Sequence, residues 1–306
     1  MPGRGAEPSA RLADRGAVIS FIGDYTGVSG SFDVGRIHYE GFFFQGAPGR
    51  DLSAAYGRNV RSTLKPGGCC WLPGGAGAMG QMHTQLAVEN PNGPKRILVS
   101  DMDSARIANV ERQLGEAIQS RGVEFKAVNP SELSPEEFDR VLREFAPEGF
   151  DDIVMLVPAV PVLCHAAGYL GKDGLMNIFA GIPAGKEGVL SIDGIVNRGQ
   201  RYIGSSGSRT EHLRHTLTLA EQGKLNPVTA LAAIGGMKEL KHGLQAVIDA
   251  KFPGKTVILP NCPDMPLVPV SELASLSPAI AGTLNCCGHY SVATEAEINA
   301  QYGVGH

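Results

Sequence analysis

A chain of 306 residues with a net charge of −4 can form one large domain or two smaller ones, and its weak acidity argues against nucleic acid or an anionic membrane as a partner. The longest apolar run, Ile153 to Leu163, contains Pro158 and Pro161 and is too short to span a bilayer. Residues 1–16 are rich in Pro, Gly and Arg, unlike a signal peptide, and four of the six cysteines stand in adjacent pairs, unlike a disulfide framework; a reduced, cytoplasmic protein is expected.

Taken in order, the chain leaves a helix end near Leu12 and enters a buried strand at Ala17–Ile22. Glycine turns come next, and Ile37–Phe44 is a second strand candidate. From Leu64 a regular alternation begins. Cys69–Leu72, Arg96–Ser100, Val123–Val128, Asp152–Val157, Leu175–Ala180 and Gln200–Gly204 read as strands. A helix over Ser104–Arg121 has apolar residues Ile107, Val110, Leu114, Ala117 and Ile118 at three- and four-residue steps. Ser134-Pro135-Glu136-Glu137 is a helix start, with a Ser cap, Pro in the first turn and acids near the positive end. Strands alternating with helices predict an α/β fold, a doubly wound parallel (Rossmann) sheet. A helix is expected at Lys238–Ala250 and a strand at Lys255–Leu259. Pro260, Pro263, Pro266 and Pro269 interrupt the next stretch, and short helices are expected at Ser271–Ala281 and Thr294–Tyr302.

The chain also repeats itself. Shifted by 158 residues, Gly16, Gly23, Gly27, Gly30, Gly41, Gly46 and Gly49 fall on Gly174, Gly181, Gly185, Gly188, Gly199, Gly204 and Gly207. Leu12, Phe21 and Ile37 fall on Leu170, Phe179 and Ile195. Residues 10–57 are thus a second copy of 168–215, the last third of the nucleotide-binding unit, so the fold is expected to carry a partial N-terminal repeat of that unit. The copy lacks a glycine loop and an acidic residue of its own.

Gly75, Gly77 and Gly80 form a Gly-x-Gly-x-x-Gly pattern between the strand at Cys69 and a helix over Gln81–Glu89. In that context Gly75 serves the tight turn, Gly77 lets backbone N–H groups approach a pyrophosphate, and Gly80 allows close helix packing. The helix N-terminus adds free donors and partial positive charge. Asp101, at the end of the next strand, can accept hydrogen bonds from an adenosine ribose and repels a 2′-phosphate, which favours NAD over NADP. The competing reading is a glycine-rich turn with an ordinary helix-capping Asp after it.

With Gly74–Gly80, Asp101 and Arg106, Phe150–Val154, Gly174–Gly181, Gly204–Gly207, Gly223–Pro227 and Gly254–Leu259 in this order, residues 64–260 resemble the medium-chain dehydrogenase/reductase superfamily, the zinc-type alcohol and polyol dehydrogenases. The likeness is to its threonine dehydrogenase-like and sorbose-1-phosphate reductase-like branch. The resemblance implies that Gly75, Gly77, Ala78, Met79 and Gly80 hold the pyrophosphate of NAD, and that Asp101 and Arg106 hold the adenosine ribose. Val157, Ala180, Gly181 and Ser205 would lie along the nicotinamide half. It also implies that subunits pair through their last Rossmann strands. The strand near Gly41–Gly46 is therefore expected to lie antiparallel against Gln200–Gly204 of the same chain, covering that edge.

The family's catalytic half carries zinc ligands, including a Gly-His-Glu motif, and a four-cysteine lobe; this chain has neither. The expected organisation is a partial repeat over 1–62 (the last two strands) and a dinucleotide-binding domain over 63–225. A helix and strand that normally return to a catalytic domain occupy 226–260, and an irregular extension occupies 261–306. The chain reads as the C-terminal part of a longer dehydrogenase acting on a small alcohol, polyol or sugar phosphate. Its expected partners are a second copy of itself or a chain supplying the catalytic domain. The alternatives are a non-catalytic NAD-binding module and, ranked lower, an S-adenosylmethionine-dependent methyltransferase, suggested by Leu64-Lys65-Pro66-Gly67-Gly68. Catalytic residues are not assigned. Cys262, Cys286, Cys287 and His289 lack standard metal-ligand spacing. His83 reads as a packing residue, His212 and His215 as a solvated helix face, and His38 and Tyr39 as a pair with Asp33 nearby but no nucleophile.

Overall fold

The computed structural model describes residues 10–56, 61, 63–204, 206–284 and 290–304. They form two compact units: one takes in the chain up to Ala76 together with His83–Leu213, the other Gly77–Met82 and the chain from Arg214 onward.

The first unit is built on an eight-stranded sheet. In chain order its strands are β1 (Val18–Ile22), β3 (Phe43–Ala47), β4 (Cys69–Pro73), β5 (Arg96–Ser100), β6 (Glu124–Val128), β7 (Phe150–Met155), β8 (Leu170–Ile178) and β10 (Arg201–Gly204). Their spatial order is β1-β3-β10-β8-β7-β4-β5-β6. From β6 to β10 this is the 3-2-1-4-5-6 order of a dinucleotide-binding sheet. Every neighbouring pair is parallel except β3 with β10. A separate antiparallel pair joins β2 (Ser29–Asp33) and β9 (Glu187–Ser191).

Both faces of the sheet are covered. Along β4, Cys69 and Trp71 enter one apolar core while Cys70 and Leu72 enter the other, as the two-residue period of a strand requires. Helix α1 spans Val34–Glu40, α2 Ser53–Tyr56, α3 Gly80–Glu89, α4 Ser104–Arg121, α5 Pro135–Phe145, α6 Val160–Ala167 and α7 Ile192–Asn197. Helix α4 buries Ile107, Val110 and Leu114 and is capped by Asp103. Helix α5 starts in a capping box of Ser134 and Glu137.

The repeat is visible element by element: β1, β2, α1 and β3 recur as the carboxyl half of β8, β9, α7 and β10 at the 158-residue offset. Asp33 caps α1 where Ser191 caps α7. The copies meet about a local two-fold. In β3/β10 the equivalent positions Phe44 and Tyr202 are partners, and in β2/β9 the equivalent positions Ser31 and Val189 are partners. The aligned glycines are explained by this contact. A Cβ on Gly204 would lie 2.1 Å from the Ile37 carbonyl oxygen, and one on Gly46 would meet Val196 and Ile195 at 3.0 and 3.2 Å. Each helix thus crosses the last strand of the other copy at a position where only glycine fits. Phe21, Phe32 and Phe44 pack edge to face, with centroids 5.1–5.8 Å apart. Each contributes about 1.5–3 kcal/mol of burial to a copy that has few strands of its own.

The strand expected at Ile37–Phe44 is corrected: Val34–Glu40 is helical and the strand starts at Phe43. Asp33 accepts from the Arg36 N–H at the helix start, and Gly41 ends the helix in the left-handed region at φ 67°. Local apolar residues suit either state; the two caps decide for helix. Strands β2 and β9 were not anticipated, because Gly30 and Gly188 interrupt their alternation.

In the second unit, β11 (Leu231–Gly236) lies between β12 (Lys255–Leu259) and β13 (Val268–Pro269). Helix α8 spans Thr210–Glu221. The unit also contains α9 (Leu240–Ile248), α10 (Pro278–Thr283) and α11 (Val292–Tyr302). Ile234, Cys262, Met265, Leu273, Ile280 and Ile298 are its fully buried core. Strand β11 was not expected: Gly235 and Gly236 close it, and a Cβ on Gly236 would lie 2.0 Å from the Cys262 carbonyl oxygen.

Candidate functional site

The carboxyl ends of β4, β5, β7 and β8 form one row, where an open α/β sheet binds its ligands. The Gly74 N–H donates to the Ser100 carbonyl at 2.7 Å, and the Leu156 N–H donates to Pro73 at 3.1 Å. The Ala180 N–H donates to Met155 at 2.8 Å, and the Asp101 N–H to Val128 at 3.2 Å. These bonds bring Gly74, Gly75, Asp101, Val157, Ala180 and Gly181 to adjoining strand ends.

The glycine turn is tight at its base. Gly74 adopts φ +78°, and a Cβ there would lie 2.9 Å from Val157 Cγ2. The left-handed residue is therefore Gly74. Gly75 answers a different demand, since its Cβ would sit 2.9 Å from both the Leu72 carbonyl oxygen and Val99 Cγ1. The Thr84 hydroxyl donates to the Gly75 carbonyl at 2.8 Å and ties α3 back to the turn. Gly77, Ala78 and Met79 lead into α3, which begins at Gly80. Ala78 and Met79 are exposed, and no acidic residue stands in the first turn of α3. The backbone N–H groups there suit an anion, so the residues present fit a dinucleotide pyrophosphate.

Asp101 comes directly after β5, and its carboxylate accepts the Asp103 N–H at 3.2 Å. Arg106 pairs with Asp103, Nε to Oδ2 at 3.3 Å. Ser205 lies outside the described residues, as do Cys286, Cys287 and His289. Among the described residues no three or more His, Cys, Asp or Glu side chains are grouped to hold a metal ion.

Two other histidines stand along the β8 end of the row. His83 is on α3, its ring 4.3 Å from that of Phe179. His38, buried on α1, donates from Nδ1 to the Ile178 carbonyl at 3.1 Å. Its neighbour Tyr39 packs edge-on at 4.7 Å, and the Tyr39 hydroxyl lies 2.9 Å from where a Gly181 Cβ would be. Asp33, the partner considered for this pair, is used instead by the N–H groups of Arg36 and Gly185. His212 and His215 are exposed on α8. A cavity of about 400 Å³ lined by Lys65, Cys69, Arg96, Asp151 and others opens at the opposite, amino end of the strands, away from where such sheets hold ligands. Burial pushes the Cys69 thiol in it up to about 12, which leaves it unreactive.

The arrangement at Tyr39 was not legible from the motif. Its signal lay in the repeat, where the second copy carries Val196 and Asn197 in place of His38 and Tyr39.

No family model matches the chain. It is 31% identical over 218 residues to mannitol-1-phosphate 5-dehydrogenase of Aliivibrio fischeri, covering 70% of this chain and 50% of that protein. It is 26% identical over 219 residues to L-sorbose 1-phosphate reductase of Klebsiella pneumoniae, covering 69% and 50%. The chain spans about half the length of these curated relatives. Among solved structures, 2R,3R-butanediol dehydrogenase from Bacillus subtilis superposes with a TM-score of 0.50 at 19% identity, covering 66% of this chain and 54% of that one. An Escherichia coli oxidoreductase/dehydrogenase of unknown specificity gives 0.51 at 16% identity, covering 64% and 52%. These two share the fold. Over the matched part of its length, the chain belongs to the medium-chain dehydrogenase/reductase superfamily.

Proposed function

We propose that this chain is the NAD(H)-binding part of a dehydrogenase that moves a hydride to or from an alcohol, polyol or sugar phosphate. The observation that carries the reading is the row of strand ends in the 3-2-1-4-5-6 sheet, with a glycine turn after its first strand and Asp101 after its second. The same order speaks against the methyltransferase alternative. The relatives named for mannitol 1-phosphate and sorbose 1-phosphate support a sugar-phosphate substrate.

In this reading the turn over Gly75, Gly77, Ala78, Met79 and Gly80 holds the pyrophosphate; the Gly75 N–H is itself bonded to the Leu72 carbonyl at 3.0 Å, so the donors come from the residues that follow it. Asp101 accepts the adenosine ribose hydroxyls and disfavours NADP. Arg106, already paired with Asp103, borders the ribose. Val157, Ala180 and Gly181 line the nicotinamide half; Ser205, outside the described residues, is assigned there by the resemblance alone. The bound nicotinamide supplies the hydride chemistry, and the chain's residues position it. No step is assigned to zinc. Polarisation of the substrate oxygen falls to a catalytic domain on other sequence, in a cytoplasmic assembly. A second reading, an NAD-binding module without turnover, is favoured by the lack of a ligand cluster among the described residues.

Titration of the purified chain with NADH and NADPH tests the cofactor reading. NADH should bind more tightly, and Asp101→Ala should weaken it tenfold or more, since hydrogen bonds to a charged group contribute about 1.5–3 kcal/mol. Absence of saturable NADH binding by folded chain would sink it. Turnover of mannitol 1-phosphate with NAD would separate enzyme from module.

A further inference from the structure

We propose that Tyr39, contributed by the N-terminal repeat, is a cofactor-contacting residue whose hydroxyl donates a hydrogen bond to the nicotinamide carboxamide oxygen. The proposal rests on the NAD(H) reading of the strand-end row. Tyr39 comes from the copy that has no glycine loop, yet its hydroxyl stands 2.9 Å from the Cβ position of Gly181 at the β8 end of that row. The residue is 43% exposed, so it is not sealed from a ligand.

Three features hold it there. Helix α1 is fixed at both ends, by the Asp33 cap and by Gly41. A Cβ on Gly204 would lie 2.7 Å from the His38 Cα, so the helix is seated against β10. His38 donates to the Ile178 carbonyl, the last residue of β8, and its ring braces that of Tyr39. The equivalent position in the second copy is Asn197, whose side chain turns back to Asp193 of its own helix at 2.6 Å. The local two-fold therefore places a phenol at the complete copy's strand ends, and nothing comparable is required at the incomplete copy. A phenol donor matches a carboxamide acceptor. On this view the duplication lets one chain complete the nicotinamide end of its own site.

Calorimetric titration of the full chain and its Tyr39→Phe variant, each with NADH and with ADP-ribose, tests this. ADP-ribose carries the pyrophosphate and both riboses but no nicotinamide. Loss of one neutral hydrogen bond should raise the NADH dissociation constant about three- to tenfold and leave ADP-ribose within about twofold. Equal NADH affinity in both proteins overturns the proposal while the cofactor reading stands. Equal weakening toward both ligands also overturns it, because the effect would then be structural. If the parent chain binds neither ligand, the cofactor reading fails and this proposal falls with it.

Discussion

Tyr202 is fully buried in β10, and among the described residues its hydroxyl has no hydrogen-bond partner. Burial pushes the phenol up, since the charged form has no solvation there. An unsatisfied buried hydroxyl costs about 1–3 kcal/mol, and the equivalent position of the other copy is Phe44. Tyr202→Phe should therefore be neutral or stabilising, by up to about 1–2 kcal/mol, in chemical denaturation; a loss of stability would reveal a partner for the hydroxyl. At this scale the sequence was readable where one residue type answers one demand. The glycine at the turn and the acid after β5 were in that class. Which glycine is left-handed was not, because Gly74 and Gly75 are adjacent and only the neighbours Val157, Leu72 and Val99 distinguish their tasks.

Strand β7 enters the sheet under electrostatic control. Asp152 is buried, accepts the Lys65 N–H at 2.7 Å and pairs with Arg61. Burial raises its carboxyl above the ordinary value of 3.8, opposed by the nearby Arg61 charge and the Lys65 N–H. A carboxyl with a raised folded-state value contributes stability below its unfolded value, and that contribution is lost as pH rises through the folded one. Arg61→Met removes the opposing charge and raises Asp152 further. The variant should lose about 3 kcal/mol at pH 8, and less as the pH falls and Asp152 can take up a proton; denaturant midpoints at pH 8 and at an acidic pH check this, and a pH-independent loss would contradict it. Elements with caps or a single clear period were legible, as in α4 and α5. Helix α1 was misread because seven residues are too few to show a helical period, and β11 was missed because Leu231–Gly236 is a short apolar run with no alternation that closes on two glycines.

For the whole molecule, the pairing of β3 with β10 occupies the strand edge through which the superfamily resemblance implies subunit contact. Edge strands associate because their N–H and C=O groups are unpaired, and this one has been paired from within. Light scattering should therefore find no dimer joined through residues 201–204. A dimer whose amide protection increases there with concentration would refute the assignment.

The sequence by itself determined the alternation of strands and helices, the glycine turn, the acid beyond β5 and the duplication, because each is a local pattern or a comparison of the chain with itself. The antiparallel meeting of the two copies was an expectation carried by the family resemblance, and the structure pairs β3 with β10 in that sense. Only the tertiary structure decided that Gly46 and Gly204 lie beneath helices of the opposite copy, and that Tyr39 stands over Gly181. Those facts depend on residues more than 140 positions apart sharing a surface, and no local periodicity encodes which surface that is.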